Sequence, residues 1–197
     1  MCIVCLAYQS RNGPCTSCRN MAATVVNHAL YPDTTITMAL FREVTNSAEL
    51  RQHVMKGEFE ASLLKPVMIV DPFQVLVAAN KAEHLHRSGR MMTRNVHTEI
   101  LFCLSPTKNI SDSFKKFGLG DSDTSALVVI MNDKNGSTLA TVTDKVQGKL
   151  VDVTEVGELT DTDMVKKVYK LTEQELTVGS PLDSITTRIA AKEMAVV

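Results

Sequence analysis

The chain has 197 residues, 44% of them apolar and 22% charged, which suits a globular core and speaks against wholesale disorder. Its longest apolar run, Leu63 to Val70, is interrupted by Lys65 and Pro66 and falls well short of the ~18 to 20 residues a bilayer span needs, so no membrane segment is expected. A net charge of −1 argues against a protein that coats nucleic acid by bulk electrostatics. The charges are uneven, however: between Lys81 and Thr98 the bases Lys81, Arg87, Arg90 and Arg94 stand against Glu83 alone.

Four of the five cysteines open the chain as two pairs, Cys2-x-x-Cys5 and Cys15-x-x-Cys18. Four thiolates in two such pairs can hold tetrahedral zinc, but the spacer between the pairs is shorter than the ~15 to 20 residues of typical paired sites. The expected reading is an extension over 1–20 outside the domain, with Met21 opening a single domain over 21–197. A zinc module built on the four tail cysteines is the alternative. Only Cys103 lies in the domain, which leaves no disulfide framework there and suits a reducing compartment.

Thr34 to Phe41 alternates Ile36, Met38 and Leu40 with Thr35, Thr37 and Ala39, a half-buried strand pattern. Asn46 and Glu49 at capping-box spacing open a helix that Gly57 closes, with Leu50, Val54 and Met55 turned inward. Asp71-Pro72 starts a longer helix and Gly89 stops it. Its apolar stripe is Val75, Ala78, Ala79, Ala82 and Leu85, with Asn80, Lys81, His84 and Arg87 on the other side. Thr98 to Leu104 reads as a buried strand, Asn109 caps a helix carrying Ile110, Phe114 and Phe117, and Ala126 to Met131 reads as another strand.

Strand, helix and strand at this spacing predict a right-handed crossover with parallel strands. Asn135-Gly136 suits a hairpin turn, Thr138 to Val146 a helix and Leu150 to Val156 an edge strand. Thr160 to Leu171 orders its charges as a helix dipole prefers, and Ser180-Pro181 starts a last helix running to about Ala195. The expected fold class is α/β: a small mixed β-sheet of three to four strands with a βαβ unit, packed by several helices.

No assembled chemistry is legible. Gly118 and Gly120 lack the residues that complete a phosphate loop, which weakens the other rival, a small nucleotide-binding enzyme. Cys103 reads as a core residue rather than a nucleophile paired with His97. Glu99 needs solvent or a cation, and Arg94 is its candidate partner. What remains is the basic stretch, whose lysine and arginines can bind phosphates and, for arginine, stack on a base.

The string Asp71-Pro72-Phe73-Gln74-Val75-Leu76-Val77-Ala78-Ala79-Asn80-Lys81-Ala82 resembles a known family. Thr93-Arg94, Thr98-Glu99-Ile100, Leu104-Ser105-Pro106, Asn109-Ile110-Ser111, Lys115-Lys116-Phe117-Gly118 and Val165 to Leu171 continue the likeness. The family is that of the PRPK-binding subunits of the KEOPS (EKC) complex, and the resemblance spans roughly Thr34 to Ala195.

The resemblance implies a small α/β protein without catalysis or cofactor of its own, in cytoplasm and nucleus. Such a protein binds the atypical kinase PRPK, supports its activity, and helps recruit tRNA by its 3′ CCA end for threonylcarbamoyl modification of the adenosine beside the anticodon. Lys81 and Arg94 then become the leading tRNA contacts, supported by Asn80, Arg90 and Arg87. Leu182, Ile185 and Ile189, the stripe of the last helix, become the candidate kinase interface, with core packing as the other reading. The cysteine tail lies outside the likeness and inherits nothing from it.

Overall fold

A computed structural model describes residues 23–28 and 30–193. The alternating segment is the central strand of a sheet. This strand, β2 (Thr35–Arg42), pairs with β4 (Ser125–Met131) along one edge. Its other edge takes β1 (Thr24–Asn27) beside Thr35 to Met38 and β5 (Lys149–Val151) beside Leu40 to Arg42. Beyond β4 lies β3 (Ser62–Leu64). The helices are α1 (Ser47–Met55), α2 (Pro72–Arg87), α3 (Val96–Leu104), α4 (Ile110–Phe117), α5 (Ser137–Lys145), α6 (Thr162–Tyr169), α7 (Glu173–Val178) and α8 (Pro181–Ala190).

The α/β class stands, with three corrections of detail. Among the described residues the sheet has five strands rather than three to four, and every pairing in it is antiparallel rather than mixed. The βαβ unit expected between positions 98 and 131 is absent, because Val96–Leu104 is helix α3. Asn95 and Thr98 form a capping box that starts it. Six of its nine residues are buried, so it has no wide polar face and its 3.6-residue period is hidden. Crossovers exist elsewhere in split form. β2 and β3 are both antiparallel to β4, hence parallel to each other, and α1 joins them; β4 and β5 flank β2 in the same way, joined by α5.

Strand alternation sorts the core into two layers. Ile36, Met38 and Leu40 join Leu127, Val129 and Met131 beneath α2, α3, α6 and α8. Ala39, Phe41, Ala126, Val128 and Ile130 meet Leu50 of α1 and Val142 of α5 on the opposite face. Each large apolar side chain buried in this way stabilises the fold by about 1.5 to 3 kcal/mol relative to exposure.

Several local signals act differently from their expected role. Asn46 does not cap α1. Its amide instead donates to the Lys145 carbonyl at 2.8 Å and its oxygen accepts from Gln147 N–H at 3.0 Å, tying α1 to the end of α5. Met55 faces solvent rather than the core. Gly136, at φ +68°, leads into α5 and not a hairpin, because the Asp133 carboxylate accepts from the N–H groups of Thr138 and Leu139 at that helix start. The expected edge strand over 150–156 shortens to β5, followed by a 3-10 stretch, Val153–Leu159. Asp71 caps α2 as expected, accepting from Phe73 N–H at 2.8 Å.

Two buried polar residues tie the helical layer together. The Tyr169 hydroxyl donates to the Leu104 carbonyl at 2.6 Å and accepts from the Gln74 amide at 3.0 Å, and burial pushes its pKa up. His97 Nε2 accepts from the Met131 N–H of β4 at 3.2 Å, and burial holds its pKa below the ordinary 6.5. The unfolded chain takes up this proton near pH 6.5 while the folded chain resists it. The contribution of His97 to stability is therefore complete above about pH 6.5 and lost as pH falls toward the lower folded value. Denaturation midpoints followed from pH 7.5 to 5 are expected to fall less in His97→Gln than in the parent chain; parallel declines would exclude His97 as the titrating group.

Candidate functional site

The basic stretch lies where α2 ends and the chain turns into α3. Gly89, at φ +64°, adopts the left-handed conformation that ends α2, and Arg90 N–H returns to the Leu85 carbonyl at 2.9 Å. The following segment is gathered by Glu99, which is wholly buried in the first turn of α3. One oxygen, Oε2, accepts from Met92 N–H at 3.1 Å, Thr93 N–H at 2.8 Å and the Thr93 hydroxyl at 2.6 Å. Glu99 thus bonds the loop backbone and not Arg94, the cation expected to partner it.

Arg94 is exposed and makes no ion pair among the described residues. It borders a hollow of about 450 Å³ lined by residues 92–95, Thr98, Ile110 and Phe114. Arg90 is exposed nearby in sequence, with one long contact from Nε to the Ser88 hydroxyl at 3.4 Å. A fixed loop carrying the exposed Arg94 guanidinium beside a partly aromatic wall offers donors that suit a phosphate and a face that suits an unstacked base.

The other basic candidates are engaged within the fold. Lys81 Nζ donates to the carbonyls of Ile189 at 2.6 Å and Ala190 at 3.3 Å and pairs with Glu193 at 2.8 Å, closing the C-terminal end of α8. Its side chain is only 13% exposed. Arg87 bonds Asp33, Glu83 and Thr34 and lies 4.3 Å from the Tyr31 ring centre, which ties α2 to the turn before β2. Its hydrogen bond to Asp33 raises the guanidinium pKa and lowers that of the carboxylate. Asn80 is half-buried, and its backbone carbonyl lies 3.4 Å from His28 Nε2.

Along α8, Leu182 is half-buried, whereas Ile185 and Ile189 are wholly buried in the chain's own core. Just beyond α8, the Lys192 ammonium donates to the Phe102 carbonyl and sits 3.2 Å from the centre of the Phe102 ring. Burial pulls its pKa down to about 8. Two lysines therefore fasten the described chain end, one to each of two helix C-termini.

Cys103 is buried, and desolvation followed by the negative charge of Glu99 pushes its thiol up to about 12, which suits packing and not nucleophilic attack. Among the described residues no group of three or more His, Cys, Asp or Glu side chains could hold a metal. The tail cysteines Cys2, Cys5, Cys15 and Cys18 lie outside the described residues. Among the described residues no helix is long and apolar enough to cross a membrane. Ile110 and Phe114 were legible only as the apolar face of α4, since nothing in a single sequence links them to position 94.

The scaffold is an α/β fold with an exposed arginine beside a hollow, and residues 41–193 match the model of a family described as kinase binding protein CGI-121. The chain belongs to that family. It is 46% identical over 167 residues to the EKC/KEOPS complex subunit TPRKB of Danio rerio, covering 84% of this chain and 95% of the relative. It is 38% identical over 144 residues to the EKC/KEOPS complex subunit cgi121 of Aspergillus fumigatus, covering 69% and 76%. With the corresponding subunit of Candida glabrata it shares 28% identity over 162 residues, covering 81% and 91%.

Proposed function

We propose that this chain is a non-catalytic subunit of the KEOPS (EKC) complex that binds the kinase PRPK, supports its activity, and helps recruit tRNA through the 3′ CCA end for threonylcarbamoyl modification. The observation that carries this reading is its likeness to the zebrafish subunit across 95% of that relative's length. For the RNA contact, support comes from the free guanidinium of Arg94, the exposed Arg90 and the hollow bounded by Ile110 and Phe114. An exposed CCA end offers phosphates, hydroxyls and unstacked bases, which such a surface suits.

For the kinase, the accessible candidate on α8 is Leu182, because Ile185 and Ile189 are already buried within the chain. Residues 1–20 have no part in this proposal. The test of the RNA contact is binding of the full chain, alone and within the assembled complex, to tRNA with and without its terminal CCA. Tighter binding to the CCA-ended form is expected; equal binding to both forms would remove the 3′ end from the reading.

A further inference from the structure

We infer that Glu99 is a positioning residue for the proposed RNA contact, holding the backbone at residues 92 and 93 so that Arg94 stands fixed beside its hollow. The inference rests on the reading of Arg94 as an RNA contact and extends it to a residue beneath the surface that touches no ligand. Three donors of the loop converge on Glu99 Oε2: the N–H groups of Met92 and Thr93 and the Thr93 hydroxyl. Thr98, one residue before Glu99, donates its hydroxyl to that of Thr93 at 3.1 Å, and Asn95 caps α3 through Thr98 N–H at 2.8 Å. Arg94 is thus bracketed on both sides by residues pinned to the first turn of α3.

The chemistry favours a carboxylate here for orientation more than for stability. Bonds to an ionised acceptor are shorter and stronger than neutral ones, and the helix start favours negative charge. Burying a carboxylate is nevertheless costly unless its oxygens are satisfied. The other oxygen, Oε1, is buried without a hydrogen-bond partner. An apolar residue would avoid that cost and would leave the three loop donors unheld. A fixed loop loses less conformational freedom when its arginine binds, and this is how Glu99 acts on affinity.

The test is tRNA affinity of the full chain across a salt series, with stability measured in parallel. Glu99→Leu is expected to weaken CCA-ended tRNA about tenfold and to lower the salt slope by about one phosphate contact. Glu99→Gln, which keeps an acceptor oxygen, should retain most of the affinity. In an Arg94→Ala background, Glu99→Leu should have almost no further effect, because the residue it positions is gone.

Unchanged affinity in Glu99→Leu, or an equal loss with and without Arg94, would overturn the inference. If Glu99→Leu fails to fold, Thr93→Val, which removes one of the three donors, should still weaken binding measurably in the parent and not in Arg94→Ala; no change in the parent would overturn it. An Arg94→Ala chain that binds like the parent overturns the RNA reading of Arg94, and the positioning role with it. Failure of the inference alone looks different: Arg94→Ala weakens binding and Glu99→Leu does not.

Discussion

Replacing Ile189 by alanine is expected to lower folding stability by about 2 to 5 kcal/mol, the usual loss for a large aliphatic side chain removed from a packed core. Ile189 is wholly buried, belongs to the same cluster as Val75, Ala78 and Tyr169, and its carbonyl accepts from Lys81. A cavity here loosens α8 against α2 at the point where the chain end is fastened. Denaturant unfolding should show a lower midpoint with little change in slope. Kinase binding by the folded fraction should change far less than stability. A chain that kept its stability and lost kinase binding would reverse this assignment and make Ile189 an interface residue.

Arg94→Glu and Lys81→Met are expected to separate, although both positions sit in the same basic stretch. Reversing the charge of the exposed Arg94 should reduce tRNA affinity at least about tenfold, with stability shifted by no more than about 0.5 kcal/mol. Lys81→Met should instead cost about 1 to 3 kcal/mol of stability, because the carbonyls of Ile189 and Ala190 lose their donor. Glu193 loses its ion-pair partner as well. Below its unfolding midpoint, Lys81→Met should bind tRNA close to the parent. The reverse pattern, with affinity falling in Lys81→Met and holding in Arg94→Glu, would place the RNA contact on α2.

The contrast between these two residues marks how far a single sequence reaches. Both are basic, both lie on or beside α2, and both fall in the stretch with a positive balance. What distinguishes them is a contact more than a hundred residues away along the chain, from Lys81 to the end of α8, which no local pattern encodes. Arg87 is absorbed in the same way by Asp33, and Ile185 and Ile189 by the core beneath them.

Local signals were legible where local physics decides. The Asp71-Pro72 start and Gly89 stop of α2 and the Asn109 cap of α4 appear as read, whereas β2, read as half-buried, is buried on both faces because helices cover each side of the sheet. The Thr172-x-x-Glu175 capping box that opens α7 was equally available and marks a helix missed by hydrophobic periodicity alone. The segment Val96–Leu104 failed for the opposite reason: buried on most sides, it shows no period by which helix and strand can be told apart. Glu99 was legible as an acid needing a partner, but the backbone of its own preceding loop is a partner that side-chain chemistry does not announce.

The proposed role is assembly with a kinase complex, with no chemistry performed by the chain alone. The most direct measurement is reconstitution of the full purified chain with PRPK and the remaining KEOPS subunits, followed by size separation and assay of threonylcarbamoyl transfer to tRNA. A stable complex containing this chain and greater transfer when it is present are expected, with no turnover by the chain by itself. A chain that elutes apart from the kinase, or that alone carries out the transfer, would contradict it.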